Sequence, residues 1–145
     1  MSLINDIKKD IMTIISGSSL VQDVSDFPKT NFKGFPAVVV LWAGLTNEIA
    51  TNVENERIVT FKIIILDQVG RDTDSDDSNL RAEKNINNII SDLIDRFDDT
   101  YNLSGSTSVD FSMPVNTDEP VFAELSSGWA RKVEMLLTFH KRFIT

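Results

Sequence analysis

From Arg57 to Asp67 the chain reads Arg-Ile-Val-Thr-Phe-Lys-Ile-Ile-Ile-Leu-Asp, and no other segment constrains the fold as strongly. β-branched and aromatic residues dominate the run, which suits a pleated strand. Successive side chains point to opposite faces, so Val59, Phe61, Ile63 and Ile65 make one uninterrupted apolar face, and Ile58, Thr60, Lys62, Ile64 and Leu66 make a mixed one. The first face has to be covered by another layer, and the second meets water in part. A second strand, Ala37-Val38-Val39-Val40-Leu41-Trp42, begins at Pro36, which has no N–H to give a ladder. It is apolar on both faces, as expected of a strand covered on both sides.

Two amphipathic helices can supply the covering layer. Leu3, Ile4, Ile7, Ile11, Ile14 and Ile15 recur at helical spacing behind Ser2, which is placed as an N-cap, and Ser16-Gly17-Ser18-Ser19 ends the helix. Ile86, Ile89, Ile90, Leu93, Ile94 and Phe97 form the stripe of a longer helix, preceded by aspartates that complement its dipole. The remaining strands are a short one at Leu20 to Val24, one from Thr107 to Met113 that Pro114 interrupts, one at Val121 to Leu125, and a long one from Trp129 to Phe143. In the last, Val133, Met135, Leu137 and Phe139 face inward, opposite Lys132, Glu134, Leu136, Thr138 and His140. Pro28 to Phe35 and Asn47 to Glu56 read as loops, and Ser126-Ser127-Gly128 as a turn. The order of elements predicts one α+β domain over residues 1–145, a mostly antiparallel curved sheet with two helices packed on one face.

Composition narrows function mostly by exclusion. With no cysteine, disulfides and thiolate chemistry are absent, and the single His140 leaves one imidazole for any triad or metal cluster. A net charge of -8 opposes binding to phosphate backbones. The N-terminal stretch has no uninterrupted apolar core of a signal peptide, and the longest apolar runs are strand-sized, so no membrane partner is expected. Phosphate-cradling glycine motifs and the nucleophile-elbow pattern do not occur, and no cofactor or catalytic residue is expected.

One segment has metal-ligand spacing. Asp72, Asp74, Asp76 and Glu83 fall at the first, third, fifth and twelfth places of a calcium loop. Asp77 stands where the turn glycine belongs, and the residues before the loop read as strand, so a solvated acidic loop is the simpler account and a calcium-binding module the alternative. The stretch from Gly70 to Ser78 has nothing apolar from Arg71 to Asp77 to anchor it and is expected to be mobile in the isolated subunit. On the mixed sheet face, Ile58, Ile64, Leu66 and Leu136 are ordinary surface if scattered and a subunit contact if contiguous. Charge is also uneven. Asp67 to Asp99 holds ten acids against four bases and Trp129 to Thr145 four bases against one acid, a polarity that favours head-to-tail self-association.

Several of these segments together resemble the tail-terminator, or tail-completion, proteins of long-tailed bacteriophages. They are the helix Leu3 to Ile15, the Phe35-Pro36-Ala37-Val38-Val39-Val40 strand start, the strand from Arg57 to Ile65, the helix beginning near Arg81-Ala82-Glu83, the segment Glu119-Pro120-Val121 and the final strand from Trp129. Phage neck and head-completion proteins share much of this layout. The resemblance implies a non-enzymatic virion protein, assembled in the host cytoplasm, that forms a ring of six copies on the head-proximal end of the tail. Such a ring ends tube growth and presents a joining surface, so its partners are further copies of itself, the tail-tube protein and the head connector. DNA passes through the lumen without specific binding, and Asp72, Asp74, Asp76 and Asp77 are candidates to line it.

Overall fold

The computed structural model describes residues 3–29, 31–49, 54–70, 76–100, 103, 111–117, 121–125 and 128–144. In chain order these form α1 (Leu3–Ser16), β1 (Asp23–Ser25), β2 (Ala37–Ile49), β3 (Glu54–Gly70), α2 (Asp76–Asp99), β4 (Phe111–Thr117), β5 (Val121–Leu125) and β6 (Gly128–Ile144). The six strands make one open sheet in five columns, ordered β1, β2, β3, β6 and then β4 with β5. β1 runs parallel to β2, and every other pairing is antiparallel. The α+β fold with a curved, mostly antiparallel sheet is thus the one its hydrophobic patterning predicts.

β3 and β6 form the spine, paired from Glu54 opposite Ile144 to Gly70 opposite Trp129. β4 and β5 lie end to end along the other edge of β6, from Phe111 opposite His140 to Leu125 opposite Gly128. They behave as two halves of one arm of a long hairpin. The pairing slips by one residue at Pro114/Asn116. Such bulges increase local twist, which curves the sheet.

Both helices pack on the face made by Val59, Phe61, Ile63 and Ile65 of β3 and Val133, Met135, Leu137 and Phe139 of β6, all buried as their alternation requires. α1 contributes Ile7, Ile11 and Ile15, and α2 contributes Ile86, Ile89, Leu93 and Phe97. Phe61 and Phe139 meet edge to face on adjacent strands, with ring centroids 6.0 Å apart, a geometry that places a positive ring edge on a negative face. Leu103 closes this core with φ of 51°, its amide donating to the Thr100 carbonyl past the end of α2.

Several boundaries differ from the sequence reading. The expected loop from Asn47 to Glu56 is largely strand, because β2 continues to Ile49 and β3 starts at Glu54 with Asn47 opposite Arg57. Polar side chains on a hairpin end stay in water while the backbone pairs, so hydrophobic period carries no signal there. β4 runs through Pro114 instead of stopping before it. It is an outermost strand, where the missing N–H need not break an interior ladder. α2 begins at Asp76, ahead of the start near Arg81, and Gly128 belongs to β6, not to a turn. Ser2 lies outside the described residues.

Candidate interaction surfaces

The mixed face of the sheet divides into two regions. Near the β1 end, Val39, Leu66 and Ala130 are buried and form a second small core with Ile64, Leu41, Ala123, Leu125, Phe32 and Phe35. Phe32 and Phe35, from the segment between β1 and β2, pack edge to face with centroids 5.6 Å apart. Lys29 sits over the Phe32 ring at 5.1 Å and pairs with Asp23 at 3.2 Å. Burial alone would raise the Asp23 carboxyl, but the Lys33 amide and the Lys29 ammonium hold it below its ordinary value. A concavity of about 200 Å³ remains in this region, floored by Val39, Leu41, Ile64 and Leu66 and rimmed by Lys29 and Lys132.

Further along the same face the surface is ionic. Glu134 takes Lys62 at 3.7 Å and Lys132 at 3.4 Å, and His140 Nδ1 lies 2.9 Å from Glu56. The four apolar residues singled out on this face are therefore separated. Ile64 and Leu66 share the small core, where Leu66 is buried by its own chain at the floor of the concavity. Ile58 lies opposite His140 and Leu136 opposite Lys62, both half-buried among polar neighbours. The basic closing strand is likewise part of an internal charge ladder, since Lys132 is tied to Glu134, which weakens the case for simple charge docking.

Of the acidic residues, Asp72 and Asp74 lie outside the described residues. Asp76 and Asp77 are the first two residues of α2, and Glu83 is exposed two turns on. The fifth to twelfth places of the calcium pattern are thus continuous helix, with Asp76 and Glu83 about 10 Å apart along the axis. A loop that wraps an ion needs those two carboxylates to converge. Of the stretch expected to be mobile, Gly70 ends β3 and Asp76 to Ser78 are helical, and residues 71–75 lie outside the described residues. Among the described residues no three His, Asp or Glu groups gather as a metal cluster.

Two carboxylates that join elements of the fold, the buried Asp67 and the half-buried Asp92, escaped the sequence reading. Asp67 accepts from Asn85 Nδ2 at 2.8 Å and from the Gln68 amide at 3.0 Å, joining β3 to α2. Desolvation raises its pKa, and the two hydrogen bonds and Arg81 offset only part of that. Asp92 behaves oppositely. Its Oδ2 accepts from Ser18 Oγ at 2.6 Å and from Arg96 Nε at 3.0 Å, and these contacts lower its pKa against a smaller desolvation. The pair ties the end of α1 to α2.

The largest exposed apolar side chains fall partly on the sheet's outer strands. Trp42 and Leu45 of β2 are 50% and 41% exposed, and Val121 and Phe122 of β5 are 48% and 45% exposed. Phe122 lies under the Arg131 guanidinium at 4.5 Å. Trp42 Nε1 donates to the Gly44 carbonyl at 3.0 Å across a bulge in which Gly44 has φ of 152°, a conformation that favours glycine. Sequence alternation places Trp42 on a strand but does not say that its flank is open. Compared with protein-family models the chain matches none, and no curated protein matches it either.

Proposed function

We propose that the protein is a structural subunit of a phage tail end, closing the tail tube as a ring of copies and offering the joining surface to the head connector. The observation that supports self-assembly is an open sheet whose two edges differ, the short β1 beside β2 on one side and the β4 and β5 arm on the other. β2, β3, β6 and that arm alternate in direction, so the two edges of a copy run oppositely. Unlike edges permit head-to-tail contact, which closes into a ring when the rotation per copy allows. The tail assignment rests on the resemblance of the chain's layout, and the absence of a triad or phosphate loop in the sequence accords with a structural role.

The acidic residues Asp72, Asp74, Asp76 and Asp77 fit a lumen that lets DNA slide without sticking, because like charge disfavours phosphate contact. Imaging of tails assembled with and without the protein tests the assignment. A ring at the head-proximal end, and tubes of uncontrolled length without it, are the expected results. Normal tails that never contain the protein refute it.

A further inference from the structure

The concavity of about 200 Å³ on the mixed sheet face joins an apolar floor to a positively charged rim. Val39, Leu41, Ile64 and Leu66 make the floor, with Ala123 and Leu125 of β5 beside it. Val39, Ile64 and Leu66 lie where the sheet is paired on both sides, so their backbone groups are already engaged. An occupant therefore meets apolar side chains below and the ammonium groups of Lys29 and Lys132 at the rim. Glu124 also borders the hollow. Its neighbours Ala123 and Leu125 pack into the small core, so strand alternation directs the Glu124 side chain to the opposite face.

This rim is positive in a chain whose net charge is -8. Lys132 and Lys62 share Glu134, at 3.4 Å and 3.7 Å. Lys29 and Lys33 both act on Asp23, Lys29 from 3.2 Å. Each group thus sets two lysines against one carboxylate, which leaves an excess of positive charge on either side of the hollow. Beside a half-enclosed apolar floor that charge is screened less than it is in open water, so it attracts an anion more strongly. Lys132 is the freer of the two rim lysines, because Lys29 is also held over the Phe32 ring at 5.1 Å.

We propose that the hollow binds a small amphiphilic carboxylate, its aliphatic tail lying on Val39, Leu41, Ile64 and Leu66 and its carboxylate accepting from Lys132. The chemistry of the lining selects this class. Ammonium groups only donate, so a cation or a sugar finds no acceptor at the rim. The volume is below the roughly 300–1,000 Å³ of sites for drug-sized ligands, which favours a short acid over a nucleotide or a larger cofactor. The site lies away from both sheet edges, so it goes beyond the tail-end reading and does not rest on it.

Titration of the whole chain with octanoate, followed by the amide resonances of β2, β3, β5 and β6, tests this. Saturable shifts centred on Leu41, Ile64, Ala123 and Lys132 are expected, with a Kd of about 1 mM or below, near the limit for so small a ligand. Octan-1-ol, which keeps the tail and loses the charge, should bind about tenfold more weakly, and octyltrimethylammonium should not bind. Lys132→Gln should weaken octanoate about tenfold with the circular dichroism spectrum unchanged, whereas Lys84→Gln on the exposed face of α2 should have no effect. Ala123→Leu fills the hollow and should abolish binding. Shifts that do not saturate by about 10 mM, equal binding of the acid, the alcohol and the cation, or octanoate affinity unchanged in Lys132→Gln would each overturn the proposal. None of these outcomes bears on tail imaging, so the two readings fail separately.

Discussion

The two halves of β2 have nearly the same character in sequence and opposite environments in the fold. Ala37-Val38-Val39-Val40 is buried on both faces, between the helix-covered core and the small core under Phe32 and Phe35. Leu41-Trp42-Ala43-Gly44-Leu45 is more apolar than many core strands, yet Trp42, Ala43 and Leu45 are exposed. What separates them is the neighbour on the outer side: β1 flanks the first half and nothing described flanks the second. Burial of a strand residue is thus set by the columns beside it as much as by its own side chain.

Removing a residue from the fully enclosed region should have the largest effect. Phe61→Ala deletes a ring that is wholly buried against Phe139 and should cost about 3–5 kcal/mol, read as a lower denaturation midpoint. Leu66→Ala, on β3 opposite Ala37 of the covered half, and Leu45→Ala, in the exposed half, then form a pair across the comparison. The first should cost about 2–5 kcal/mol and the second about 0.5 kcal/mol or less when measured at concentrations where the protein is monomeric. Equal losses would mean that the exposed half of β2 is covered in the monomer.

Gly44→Ala tests the bulge itself. No atom lies near the added methyl, so the cost arises from φ alone and should be about 1–3 kcal/mol. A neutral result would show that the bulge relaxes freely.

Asp67 and Asp92 should respond to pH with opposite sign. Asp67 has a raised pKa in the fold, so its contribution favours folding below its unfolded pKa and is lost as pH rises through the folded value. Asp67→Asn keeps an acceptor for Asn85 and should abolish that component, leaving stability at neutral pH equal or higher. Asp92 has a lowered pKa, so its contribution is present above the unfolded pKa and is lost as pH falls through the folded value. Asp92→Asn should therefore weaken the fold at neutral pH and leave it nearly unchanged in acid. Urea midpoints measured across the acidic range check both. Lys62→Ala removes one arm of the surface ladder at Glu134 and should change stability by about 1 kcal/mol or less.

The helices, the spine strands and the inward sets of β3 and β6 were legible because each repeats a period of burial over many residues. Ile7, Ile11 and Ile15 or Val133, Met135, Leu137 and Phe139 announce a covered face whatever covers it. The ends were less legible. Asn47 to Glu56 and the residues around Pro114 pair through backbone groups that no side-chain pattern reveals, and the start of α2 at Asp76 lies in a run with no apolar residue to set a phase.

By itself, then, the amino-acid order determined the class of fold, the side of the sheet that the helices cover and the absence of thiol chemistry, all consequences of local period and composition. Only the tertiary structure decided that Ile64 and Leu66 part company with Ile58 and Leu136, that Asp67 meets Asn85, and that β1 stops three residues along β2. These depend on which segments, distant along the chain, come to lie side by side. That information is carried by the summed packing of the whole domain and not by any window of sequence.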